Sequence, residues 1–205
     1  MFRICVLTFI SACAAFAQSH CSVPPGPEPP KLPAKLMDGM GTEFINFPIT
    51  TSNPEAQKFF NQGIAQMHSF WGREAERSFL QAAALDPEAP MPWFGVAMIA
   101  GGQYQPYFQI ENWDEIGGKK QTRTNRRAME AAQKAIELSN RPGKATELEK
   151  LYIAAVAARR IPGAQDPDEG YIAGWRALLA KYPKEVEART FLSLHLMRGF
   201  ELPSH

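Results

Sequence analysis

Cysteine is scarce in this chain of 205 residues: Cys5, Cys13 and Cys21 are all there is. The first two lie in an N-terminal segment that reads as removable, so no intrachain disulfide can be built from what is left. No Cys-x-x-Cys-His haem motif occurs, and none of His20, His68, His195 and His205 has a second His or Cys at ligand spacing. An excess of charge is missing too. Twenty-two Lys and Arg face 21 Asp and Glu, a net charge of +1, which gives no reason to expect nucleic acid. Nucleophile elbow, phosphate loop and calcium-loop patterns are absent as motifs, so the expectation is no cofactor, no metal and no catalytic set.

An apolar stretch lies near the start of the chain. MFRICVLTFISACAAFAQ carries Arg3, an apolar stretch from Ile4 and the small-x-small site Ala15-Phe16-Ala17. That is the pattern of a secretory signal peptide over residues 1–17, too short for a good membrane span. Ile10-Ser11-Ala12-Cys13 also resembles a bacterial lipoprotein box, which would anchor the chain to a membrane through Cys13. Ala14 to Ala17 are unusually greasy for the start of a lipidated protein, which favours cleavage after Ala17. The chain is therefore expected to be exported, periplasmic or secreted, with a Cys13-anchored lipoprotein as the alternative. Residues 18–35 form a proline-rich tether, stiff and unable to build a core. Residues 36–53 read as an irregular lead-in.

From residue 54 the pattern is helical. Asn53-Pro54 suits an N-cap followed by the first helical position. Phe59, Gly63, Ile64 and Met67 then mark one face, up to a break at Trp71-Gly72. Ala75, Phe79, Ala82, Ala83 and Leu85 mark a second helix that stops at Asp86-Pro87. Further helices are expected over 90–100, 124–138, 146–160, 171–182 and 185–199. Thr146 with Glu149 forms a capping-box pattern. Asp166 to Gly170 reads as a plain turn.

The segment from Phe59 to Pro87 resembles a tetratricopeptide (TPR) repeat, a helix–turn–helix unit of about 34 residues. One period carries Phe59 to Trp93 and Gly63 to Ala97, both of which suit the motif. Gln66 departs from it, since tyrosine is preferred there. The stretch from Phe59 to Gly101 looks like exported bacterial TPR proteins of uncharacterised role. Such relatives often carry a cysteine after the closing Asp-Pro, but Glu88-Ala89-Pro90 stands here, so a role tied to that thiol does not transfer. The resemblance implies an all-α, TPR-like α-solenoid of antiparallel helix pairs over 54–205, with an insertion at 101–119. Phe191, Leu192, Leu194, Leu196 and Met197 suggest an uncapped last helix, as in a truncated chain or one that meets a partner there.

TPR arrays present a groove lined by their first helices to proteins or peptides. Its positions here would be Gln57, Phe60, Ile64 and Met67 in the first repeat and Met91, Phe94 and Met98 in the second. This apolar, methionine-bearing row would suit an apolar peptide or helix. The competing reading is that the row is core, filled from the insertion by Tyr104, Tyr107, Phe108 and Trp113. Lys119, Lys120, Arg123, Arg126 and Arg127 make a basic run, read as a solvated helix face. A second function class is a metal- or haem-associated accessory protein or enzyme, with its site in the insertion or beyond residue 205. Intact mass of the chain recovered from an exporting host is expected to correspond to a start at Gln18. A species with a lipid on Cys13 would establish the anchored form instead.

Overall fold

The computed structural model of the chain describes residues 28–40, 42–100, 126–160 and 167–197. Among these residues there are seven α-helices and no strand: α1 (Pro54–His68), α2 (Gly72–Leu85), α3 (Pro90–Ile99), α4 (Arg126–Ser139), α5 (Glu147–Arg159), α6 (Pro167–Lys181) and α7 (Val186–Met197). A single 3-10 turn, Thr42–Phe44, precedes them. The signal segment 1–17, Cys13, Cys21, the insertion 101–119 with its four aromatics, and the end of the chain from residue 198 lie outside the described residues.

Several helix boundaries have a local chemical cause. The Asn53 side chain accepts from the N–H groups of Glu55 and Ala56, and its Nδ2 donates to Leu85 C=O at 3.1 Å. One residue thus starts α1 and ties it to the end of α2. At the other end of α1, Phe70 adopts φ 58°. Phe70 N–H donates to Met67 C=O and Trp71 N–H to Gln66 C=O, the paired bonds of a Schellman stop. α5 opens with the complete capping box, Thr146 and Glu149 each bonding the other's backbone. α6 begins at Pro167, four residues earlier than expected. The Pro-Asp-Glu-Gly read as a turn is its first turn, because proline suits the first helical position and Asp168 and Glu169 complement the positive helix end.

Neighbouring helices pack in pairs, most extensively α1 with α2, α3 with α4 and α5 with α6. The odd-numbered helices also meet one another, α1 with α3 and α3 with α5. Phe79 of α2 explains the small residues. Its fully buried ring lies between Gly63 of α1 and Gly95 of α3. A Cβ at Gly63 would stand 2.4 Å from the ring, and one at Gly95 2.5 Å from it. Gly63 therefore admits a ring rather than a bare backbone approach, and Gly95 shares the task. Between α5 and α6, Gly174 does bring backbones together, since its Cβ would fall 2.6 Å from Ala155 Cα.

Two expectations change here. Residues 28–35 do not stand clear as a tether. Pro30 and Ala34 are buried, Arg73 donates to Glu28 C=O, and Ala34 N–H donates to Gln81 Oε1 at 3.0 Å. Of the basic run, Arg127 is not a solvated charge. It pairs with buried Glu76 and so links α2 to α4. Burial, with Arg73 nearby, lowers its pKa from the ordinary value. Lys119, Lys120 and Arg123 lie outside the described residues.

Because a Cβ at either glycine would overlap the Phe79 ring, Gly63→Ala and Gly95→Ala should each lower stability by about 1–3 kcal/mol in urea unfolding. Combining either with Phe79→Leu should recover part of the loss, a coupling measured by a double-mutant cycle.

Candidate functional site

The lead-in occupies the inner faces of the odd-numbered helices. Ile45, Phe47 and Ile49 point inward while Asn46 and Pro48 are exposed, the alternation of an extended segment. Phe44 is 84% exposed and Phe47, three residues on, only 4%. The Phe47 ring packs against Phe60 of α1 (centroids 5.3 Å apart), Phe94 of α3 (6.5 Å) and Tyr152 of α5 (4.8 Å). Phe191 of α7 meets Phe94 and Tyr152 from elsewhere in the cluster. α7 also turns back toward α1, where His68 stacks on Phe191 and bonds Glu187 at 2.7 Å.

Helix side chains hold the backbone of this strap. Gln57 accepts from Ile49 N–H at 2.8 Å and donates to Phe47 C=O at 3.0 Å and to Asn61 Oδ1 at 2.8 Å. Asn61 donates to Ile45 C=O. Glu149, buried in its capping box, accepts from Thr50 N–H and from Thr50 Oγ1, each at 2.6 Å. Asp86, at the end of α2, accepts from Thr51 Oγ1, Ser52 N–H and Ser52 Oγ. Earlier in the lead-in, Met37 N–H donates to Gln62 Oε1, and Gln62 donates to Lys35 C=O and Ser78. Gln66, also buried, accepts from Ser78 Oγ and donates to Met37 Sδ. Buried amides thus meet the bonding needs of an irregular backbone.

Of the seven groove positions expected from the sequence, Phe60, Ile64, Met67, Met91, Phe94 and Met98 are fully buried. They present no surface to another molecule in this arrangement. Gln57 is half-buried and bonded to the strap. The strap supplies the cover at Phe60 and Phe94; Met98 instead accepts a bond from Tyr171 OH of α6. Sequence reasoning missed Phe47, Asn61 and Glu149 as members of this site. The β-like alternation of 45–49 was the one signal that could have found the strap.

Two buried groups nearby have shifted acidities. Burial, then the Glu185 carboxylate that Tyr152 OH bonds at 3.0 Å, raises the Tyr152 pKa, so the phenol stays neutral. For Asp86, burial opposes the charge, but bonds from Thr51, Ser52 and Glu88 outweigh it and hold the pKa below the ordinary value. Among the described residues no three His, Cys, Asp or Glu side chains gather as a metal site. No helix among them is long and apolar enough to cross a membrane. Between α1 and α7 lies an open depression of about 360 Å³, lined by residues including His68, Phe70, Arg189 and Leu194. Comparisons with protein families, curated proteins and solved structures find no match to the chain.

The Asp86 charge stabilises the fold above the carboxylate's unfolded pKa of about 4, and that contribution is lost as pH falls through the lower folded value. Asp86→Asn should therefore cost about 1–3 kcal/mol at pH 7. Urea titrations at falling pH should show the gap to wild type narrowing below about pH 4.

Proposed function

We propose that the chain is an exported, TPR-like helical-repeat scaffold that binds a protein or peptide partner along the inner faces of α1, α3 and α5. The pairing of successive helices and the contacts of α1 with α3 and α3 with α5 support the repeat reading. So does the period of about 34 residues that relates Phe59 to Trp93 and Gly63 to Ala97. Export rests on the signal-like residues 1–17.

One observation carries the binding reading: Gln57, Asn61 and Glu149 grip the main chain of an extended segment whose aromatic side chain enters a pocket of rings. Main-chain bonds give such a surface affinity for extended chain in general, and the ring pocket gives it selectivity. The site reads shape and backbone.

Selection from a random-peptide library on the immobilised full chain tests this. Selected peptides are expected to carry an aromatic anchor and to lose at least about tenfold in affinity, about 1.4 kcal/mol, on Gln57→Ala or Asn61→Ala. Circular dichroism should show that helical content is kept. Peptides that bind these variants as well as wild type would place binding elsewhere and overturn the reading.

A further inference from the structure

We propose that residues 42–50 are an exchangeable occupant of the inner face, displaced by a partner segment of the same chemistry. That partner is an extended peptide with an aromatic at the place of Phe47 and a hydroxyl residue at the place of Thr50. The inference rests on the binding reading above and adds its ligand class and its regulation.

Four features make the strap separable from the helices. Its bonds to them from Ile45 to Thr50 end on side chains, so lifting it breaks no helical hydrogen bond. The helices beneath hold one another directly, through α1 with α3 and α3 with α5, and Phe94 packs on Tyr152 without Phe47. The strap is anchored on both sides of the aromatic. Met37 is held at Gln62, and Thr51 and Ser52 at Asp86. Residues 42–50 can rise as a loop while both anchors remain, at the modest entropy of opening a short loop. Pro48, exposed in the middle, offers no N–H, so the main chain is read only at its flanks.

The bonding pattern also defines what replaces the strap. Its main chain must present a carbonyl at the places of Ile45 and Phe47 and an N–H at those of Ile49 and Thr50. A hydroxyl at the place of Thr50 is selected because Glu149 takes two bonds from that one residue. A carboxylate there would face Glu149 and be rejected, which gives the site discrimination by charge as well as shape. While the strap is seated, a partner binds only the open fraction, and its apparent affinity is reduced by that fraction.

The test uses the full chain and a labelled peptide of sequence TEFINFPITTS, residues 42–52. A control peptide carries Ala in place of its second Phe. In fluorescence anisotropy, the Phe47→Ala variant should bind the peptide on the order of tenfold more tightly than wild type, and the control should not bind. Equal affinity for the two proteins would show that the strap is no gate and overturn this proposal, while the binding reading is tested separately by the loss of selected peptides on Gln57→Ala and Asn61→Ala. No binding by a Phe47→Ala variant of native helical content would overturn the assigned ligand. A wild-type dimer that the peptide dissociates would assign the face to a second copy and overturn a separate partner. Hydrogen exchange on the wild-type chain decides the matter even if Phe47→Ala does not fold. Ile49 and Thr50 amides should exchange through local opening, well before those of Ile64 and Tyr152. Exchange of all four together, only on global unfolding, would overturn the proposal.

Discussion

Phe47 is the point on which the inner face depends. Its ring touches α1, α3 and α5 at once, through Phe60, Phe94 and Tyr152. Helices stacked in sequence leave apolar rings along the side where the first members of each pair line up. Water at those rings is unfavourable, and burying an aromatic of this size contributes about 2–3 kcal/mol. The chain covers them with its own lead-in and brings α7 round to the same cluster, where Phe191 meets Phe94, Tyr152 and Trp175.

Covering a helix face with an irregular segment raises a second requirement. Extended chain next to helices has N–H and C=O groups with no ladder to join. The glutamines and asparagines of α1 meet that need on both sides of the helix. Gln57 and Asn61 serve the inner strap, and Gln62 and Gln66 serve residues 35–37 together with Ser78 of α2. Glu149 and Asp86 do the same as carboxylates, each placed at a helix end where it already has a local duty. Glu149 completes a capping box, and Asp86 closes α2 and bonds Glu88 N–H. The polar side chains that punctuate the helices are thus also those that seat the strap.

Much of the helical order was legible because it is written locally. Asn53-Pro54, the break before Gly72, Asp86-Pro87 and the Thr146–Glu149 box each act within a few residues, and helix boundaries follow them closely. Gly63 was legible as a site of close packing, but not the identity of what it admits. Phe79 and Gly95 reach it through the tertiary packing of three helices, which the periodicity of a single helix does not show. The start of α6 was misplaced because Pro167-Asp168 is equally a turn signal and a first helical turn, and only the helix beyond it decides. Arg127 looked solvated because its partner Glu76 is 51 residues away on another helix. The strap was the least legible element. Its register is fixed by contacts such as Thr50 with Glu149, 99 residues apart, for which helical periodicity carries no information.

Nuclear Overhauser contacts from the Phe47 ring test the central claim most directly. In the full chain, with Phe47 selectively labelled, the ring protons should show contacts to the rings of Phe60, Phe94 and Tyr152 and a shift displaced by those rings. A Phe47 ring at its free-peptide shift, with none of the three contacts, would contradict the account.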